Sequence, residues 1–193
     1  MKDLSKCNDN QLVHAFRNGN NAALEILIDR YRTKIFSTIL FLVKDKYLAE
    51  DLFQDSFIKI IDTIRNNRYT DEGKFLPWAV RIAHNLCVDH FRKIKRAPAV
   101  KTSDDTDIFE LLNFTEDPTD KKLIQVETQE RLRVMLQMLP QEQREVIVLR
   151  HYADLSFKEI AEITQSSINT SLGRMRYGLI NMRKLLTEKQ IAL

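Results

Sequence analysis

Apolar residues recur at helical spacing in long stretches that almost nothing interrupts, because the 193 residues include only 4 glycines and 4 prolines. A β-sandwich or barrel needs a turn rich in Gly, Pro or Asn roughly every ten residues, so all-β architectures are excluded and an all-α fold is expected. Cys7 and Cys87 lie far apart and frame no disulfide-rich scaffold. The opening MKDLSKCNDN has no apolar signal core, and no window approaches the ~18 apolar residues of a membrane span. A soluble, cytoplasmic chain is the expectation.

The periodic runs come in two groups. Asp9 and Asn10 are expected to cap a helix through Gln11, Val13 and Phe16 that stops at Gly19. Asn20 then opens a second helix carrying Leu24, Leu27, Ile28, Tyr31, Ile35, Ile39 and Leu42. A third run holds Leu48, Leu52, Phe53, Phe57, Ile60, Ile61 and Ile64 and dissolves at RNNRYTDEGK. The fourth begins at Phe75, tolerates Pro77 in its first turn, buries Phe75, Ala79, Ile82 and Leu86, and stops near Arg96 and Pro98. Farther on, helices are expected over Lys122 to Met138, Gln141 to Arg150, Phe157 to Ile163 and Ser167 to Leu186, with connections short enough for a compact cluster.

The net charge of +3 conceals a division. Residues 1–100 carry 17 Lys/Arg against 12 Asp/Glu, residues 101–120 carry 1 against 7, and residues 121–193 carry 12 against 8. Two basic blocks therefore flank an acidic stretch, KTSDDTDIFELLNFTEDPTD, that has little periodicity. The expected organisation is two small helical domains, 1–98 and 122–193, joined by an acidic linker over 99–121. Its apolar island, Ile108, Phe109, Leu111, Leu112 and Phe114, suits docking. Basic domains point to a polyanionic partner.

The C-terminal block has the grammar of a helix-turn-helix. A short helix with Ile160, Ala161 and Ile163 meets a polar break at Thr164 to Ser166 and then a longer helix. In that second helix Ile168, Leu172, Met175, Leu179, Met182 and Leu186 step by four and three and are expected to be its buried stripe. The outward arc then offers Asn169, Thr170, Gly173, Arg174, Arg176 and Tyr177, a set of amide, hydroxyl and guanidinium groups suited to base edges and phosphates. Of these, Arg174 and Arg176 are expected to be the foremost contacts if the partner is DNA.

In the N-terminal block Arg81, Asn85, Asp89, Arg92 and Arg96 form one polar stripe on the fourth helix. Just upstream, Arg68, Tyr69, Lys74 and Phe75 interleave cations with aromatics, the combination that unstacked bases need, although Phe75 and Trp78 at helical spacing also suit a core. The third helix carries a charged face, Glu50, Asp51, Gln54, Asp55 and Lys59, that would repel DNA and therefore meets either solvent or a protein.

Catalysis has no support: there is no phosphate-cradling glycine loop, nucleophile motif or recognisable carboxylate pair. His84, Cys87 and His90 in HNLCVDH lie at helical spacing, but a structural zinc site wants a fourth ligand and none is evident, so neither metal nor cofactor is expected. A core cysteine with surface histidines is the simpler assignment. Two other classes fit these residues: a helix-turn-helix regulator that binds DNA without polymerase, and a helical protein-binding adaptor.

Taken together, the motifs resemble the extracytoplasmic-function (group 4) branch of the sigma-70 family of bacterial transcription initiation factors, over nearly the whole chain. One run, D-L-x-Q-[DE]-x-F, is present as Asp51, Leu52, Gln54, Asp55 and Phe57, and a second as Phe75, Trp78, Ala79, Arg81, Ile82, Ala83 and Asn85. Leu139, Pro140, Arg144 and Val146 match a third. Leu155, Ser156, Phe157, Glu159, Ile160 and Ala161 match a fourth.

The resemblance implies that residues 1–98 dock on core RNA polymerase and recognise and melt the minus-ten element, and that 122–193 read the minus-thirty-five element. It assigns Asp51, Gln54, Asp55 and Phe57 to the clamp helices of the largest polymerase subunit. Asn67, Arg68, Tyr69, Lys74, Trp78, Arg81, Asn85 and Arg92 go to minus-ten DNA, and the helix from Ser167 goes to minus-thirty-five DNA. It also implies contact with the flap of the second-largest subunit, an anti-sigma factor, no small-molecule substrate and a monomeric free state. The linker would run toward the polymerase active site and RNA exit path. Two departures stand out. The family's L-G-[IV]-S turn reads Thr164, Gln165, Ser166 and Ser167 here, and Ser171 and Leu172 replace an aliphatic-then-basic pair. If residue 165 takes positive φ, Gln costs about 1 kcal/mol relative to Gly, and the recognition helix could be rotated by about one residue.

Overall fold

A computed structural model describes residues 4–70, 74–96 and 131–188, and among these the chain is all-α, without a β-strand. A short 3₁₀ turn, Leu4–Lys6, leads into α1 (Asp9–Arg17), α2 (Asn21–Val43), α3 (Lys46–Arg65) and α4 (Phe75–Arg96). Helical residues 131–138 (α5) precede α6 (Gln141–His151), α7 (Phe157–Ile163) and α8 (Ile168–Glu188). These helices divide into two compact units, α1 to α4 and α5 to α8. The acidic linker over 99–121 and the beginning of the helix expected from Lys122 lie outside the described residues.

In the first unit the cap of α1 falls one residue earlier than expected. Asn8 Oδ1 accepts from the Gln11 N–H (2.9 Å) while Gln11 Oε1 accepts from the Asn8 N–H (3.1 Å), a reciprocal pair. Asp9 is drawn elsewhere: its carboxylate accepts from Arg30 Nη1 and from the Tyr31 hydroxyl, each at 2.6 Å, fastening α1 to α2. Burial and the adjoining Asp9 carboxylate push the Tyr31 phenol up to about 12. Gly19 takes a φ of +91° where the chain reverses, and Asn20 Oδ1 caps α2 by accepting from the Ala22 N–H (3.1 Å). The core is Leu12 and Phe16 of α1, Leu27, Ile35 and Ile39 of α2, Leu52, Ile60 and Ile64 of α3, and Phe75 of α4. Each such side chain contributes about 1.5–3 kcal/mol by leaving water.

The buried face of α4 differs from the expectation. Ala79, Ala83 and Cys87, with Val80 and His84 beside them, are buried, whereas Ile82 and Leu86 are only half-buried. The helix packs on α2, and the small residues of its buried face suit a close approach. His84 is buried too, so it is not a surface histidine. Among the described residues no group of three His, Cys, Asp or Glu side chains is placed to hold a metal ion.

In the second unit α6, α7 and α8 share a core of Val146, Leu149, Leu155, Ile160 and Ile163. Ser156 and Glu159 form a capping box at the start of α7, with the Ser156 N–H donating to Glu159 Oε2 (2.8 Å). This explains the serine and glutamate of L-S-F-x-E-I-A. Arg150 donates to the Leu155 carbonyl (2.8 Å) and lies 5.5 Å from the centroid of the Phe157 ring, closing the turn before α7. The α6–α8 crossing is set by Gly178: a Cβ there would lie 2.8 Å from Ile147 Cδ1. Beside it Asn181 Nδ2 donates to Gln143 Oε1 (2.8 Å). Buried Arg144 donates weakly to the Gln137 carbonyl (3.5 Å), and burial lowers its guanidinium from the usual value.

The stripe expected to bury α8 is rotated. Ser171 and Gly178 are its buried residues, flanked by half-buried Met175 and Met182, while Ile168, Leu172 and Leu179 are exposed. Helix contact is set by how closely backbones approach, and Ser and Gly permit a closeness that Leu and Ile do not.

Candidate nucleic-acid interface

The α4 stripe stands as expected. Arg81, Asn85, Asp89, Arg92 and Arg96 are all exposed and follow each other at three- and four-residue steps. Asp89 is held by Arg92 at 3.4 Å, so the stripe presents a chiefly cationic surface.

The segment leading to α4 is part surface and part core. Arg68 and Lys74 are exposed. Asn67 has a φ of +54°, the left-handed conformation that Asn tolerates, and it ends α3 with the Arg68 N–H donating to the Thr63 carbonyl (3.0 Å). Its side chain is exposed. Tyr69, expected at the DNA, is instead 4% exposed and lies against Trp78 (4.3 Å between centroids) and Phe75 (6.2 Å). Arg17 of α1 donates to the Tyr69 carbonyl. Tyr69 is thus a packing residue here, pulled inward because Phe75 and Trp78 offer aromatic faces on one turn of α4. Trp78, half-buried, is the aromatic of this cluster with a partly open ring. Nothing in the sequence spacing marks Arg17 as the residue that secures this segment.

On α3, Asp51, Gln54, Asp55 and Lys59 are exposed and Glu50 is half-buried. Phe57 is not on that face: it is 7% exposed and packs on Phe53 at 4.8 Å, which in turn meets Phe36 of α2. Its place in the motif is therefore to seat α3, because an aromatic ring at that turn is covered by the helix it packs on. Two residues that hydropathy alone places in a core belong to the exposed face instead: Tyr47 (72% exposed) and Ile58 (58%). They lie three or four residues from Gln54, Asp51 and Asp55, giving the acidic patch an apolar centre, a combination typical of protein contacts. Large side chains among acids on one arc were the available sequence signal.

The helix-turn-helix turn uses hydroxyls in place of the family's glycine and aliphatic residue. Gln165 takes a φ of +52°. Thr164 Oγ1 donates to the Ile160 carbonyl (2.8 Å), and the Ser166 hydroxyl meets those of Thr164 and Ser171 at 3.0 Å each. Ser171 therefore fills a buried position of α8 on the side that faces the turn. Ser167 caps α8, its Oγ accepting from the Thr170 N–H at 3.0 Å and meeting Thr170 Oγ1 at 2.8 Å. Asn169, Thr170, Arg176 and Tyr177 are exposed. Gly173 and Arg174 are half-buried, Arg174 on the side next to Ser171, so Arg176 is the more open of the two arginines.

Both units match known protein families. A family model described as Sigma-70 region 2 matches residues 27–97, and one described as Sigma-70, region 4 matches residues 129–172. The chain is 29% identical over 177 residues to an RNA polymerase sigma-H factor of Pseudomonas aeruginosa, covering 89% of this chain and 90% of that one. It is 30% identical over 159 residues to the ECF RNA polymerase sigma factor SigM of Bacillus subtilis, covering 81% and 92%. Among solved structures, CnrH in complex with the cytosolic domain of CnrY has a similar fold, with a TM-score of 0.62 at 20% identity over 93% of this chain and 97% of that one. The sigma factor RpoE in complex with the anti-sigma factor NepR from Bartonella quintana also has a TM-score of 0.62 at 20% identity, over 85% and 96%.

Proposed function

The chain belongs to the extracytoplasmic-function branch of the sigma-70 family, an alternative sigma factor that binds core RNA polymerase and promoter DNA and initiates transcription rather than acting as an enzyme, and from that premise we propose how its surfaces divide the work. The observation that carries the proposal is the fully exposed stripe of α4 opposite a buried alanine face. Arg81, Asn85 and Arg92, with Asn67, Arg68, Lys74 and Trp78, engage the minus-ten element. The arginines attract the phosphates, and Trp78 offers a ring face to a base released from the stack. Tyr69 acts behind them by supporting Trp78.

Asp51, Gln54 and Asp55, with Tyr47 and Ile58, dock on the clamp helices of the largest polymerase subunit. Phe57 positions that face from below. An acidic surface on a basic unit turns away from DNA and toward a basic protein groove. The second unit lies on the flap of the second-largest subunit and inserts α8 into the major groove at the minus-thirty-five element, with Asn169, Thr170, Arg176 and Tyr177 outermost and Ser167 fixing the start of the helix. The acidic stretch over 99–121, outside the described residues, is assigned to the active site and RNA exit path as a substitute for nucleic acid. The free protein is a cytoplasmic monomer. An anti-sigma factor holds it, and the solved complex of a fold relative with one supports that part of the reading. No described helix is long and apolar enough to cross a membrane.

The test is runoff transcription from a genomic promoter library with cognate core polymerase, with and without this protein. New start sites that require it are expected, and their absence overturns the proposal. Asp55→Arg should abolish core binding while leaving helicity unchanged, because the side chain is exposed; loss of helicity would instead make Asp55 a structural residue.

A further inference from the structure

The helix α8 leaves large apolar side chains in water where it should meet DNA. Ile168, Leu172 and Leu179 are 46%, 44% and 43% exposed, whereas Ile160 and Ile163 of the preceding helix are almost fully buried. Leu172 lies one turn after Ile168 and one turn before Arg176, with Asn169 three residues behind it. The apolar edge thus adjoins the two side chains best suited to hydrogen-bond bases. Beside it Gly173 sits in the helix interior, where glycine weakens a helix. Packing gives no reason for it, since a Cβ at Gly173 would meet nothing within 4 Å. Gly178, on the opposite side, has its reason inside the protein: an added Cβ there strikes Ile147.

We infer that this edge reads thymine. In the major groove, donors and acceptors distinguish most base edges, and the C5 methyl of thymine is the apolar group on offer. A leucine between Asn169 and Arg176 suits a thymine flanked by hydrogen-bonding bases. Ile168 extends the contact toward the helix N-terminus, and the missing Cβ of Gly173 lets the backbone approach the groove wall. Arg176 and Arg183 on the same side are exposed and supply the cationic surroundings that DNA requires. The inference rests on the assignment of α8 to the minus-thirty-five element.

The test uses holoenzyme and a promoter recovered by runoff transcription. Each minus-thirty-five thymine is replaced in turn by deoxyuridine, which removes one methyl and keeps base pairing. Binding should weaken about fourfold at one or two positions, the value of burying one methyl-sized group. In Leu172→Ala holoenzyme that penalty should vanish while discrimination at other bases persists. Gly173→Ala should raise the Tm of the free protein, as an unobstructed helical Cβ does, yet weaken minus-thirty-five binding severalfold. Deoxyuridine without effect at every position, an unchanged penalty in Leu172→Ala, or unaltered binding by Gly173→Ala overturns the inference. A holoenzyme indifferent to the whole minus-thirty-five sequence would remove the assignment of α8 itself; one that discriminates sequence but ignores the methyls removes only the apolar readout. Concentration-dependent self-association of wild type that is lost in Leu172→Ala would give the edge to a second copy of the chain and also overturn it.

Discussion

The two helices assigned to promoter DNA make opposite use of their apolar residues. In α4 the polar stripe from Arg81 to Arg96 is wholly exposed, and the helix is buried through Ala79, Ala83 and Cys87. In α8 the stripe of large apolar residues is itself partly exposed, and burial centres on Ser171 and Gly178. Charged residues report their own location, since burying them unpaired is costly. Large apolar residues do not, because much of any protein surface is apolar. Small residues at a close helix crossing carry little hydrophobic signal, yet they decide which way the helix is turned.

That comparison can be broken most sharply at Gly178. Gly178→Val should destabilise the protein by about 3 kcal/mol through overpacking against Ile147 and Gln143, as measured by denaturant unfolding; a value near zero would mean that α6 and α8 separate without cost. Ala83→Leu on α4 should lose about 2 kcal/mol where that helix packs on α2. Ile82→Leu, one residue away at a half-buried position, should change stability far less, and equal losses would show that the face is not defined by its small residues.

At the turn into α8, Gln165→Gly should stabilise by about 1 kcal/mol, because Gln165 is exposed and sits at a φ of +52°. A loss there would mean that the Gln side chain contributes more than its strained backbone costs.

The last effect, confined to alkaline pH, concerns the fastening of α1 beside the aromatic cluster that ends in Trp78. Tyr31 lies 5.6 Å from Phe75, and its hydroxyl holds its proton up to about pH 12 against an ordinary 10.0. The native state therefore binds that proton more tightly than the unfolded chain. The stability it contributes is complete below pH 10 and is lost as the pH rises through about 12. Tyr31→Phe should flatten the alkaline decline in stability and remove the latest tyrosinate step in an absorbance titration. An unchanged titration would mean that the Asp9–Tyr31 bond is not kept in solution.

Much of the candidate site was legible from the chain. The α4 stripe and the acid patch of α3 each depend on local spacing, and local spacing is written in sequence. The departure from glycine at 165 was legible too, but its left-handed backbone stayed a condition until the fold supplied it. Tyr69 and Phe57 were not: whether an aromatic ring faces DNA, polymerase or its neighbours depends on Phe75, Trp78 and Phe53. Tyr47 and Ile58 stood outside the apolar run read for α3, and only the fold set them on its exposed face.

By itself the sequence determined an all-α chain of periodic helices, four family motifs in order, and two basic blocks about an acidic stretch. Those properties follow from backbone geometry and from charge, which need no knowledge of distant neighbours. Tertiary structure alone decided the rotation of α8, the burial of Tyr69 behind Trp78, and the difference between two glycines five residues apart. Each of those depends on the distance to another helix, and the steep rise of repulsion at short range turns a small difference in residue volume into a choice of face.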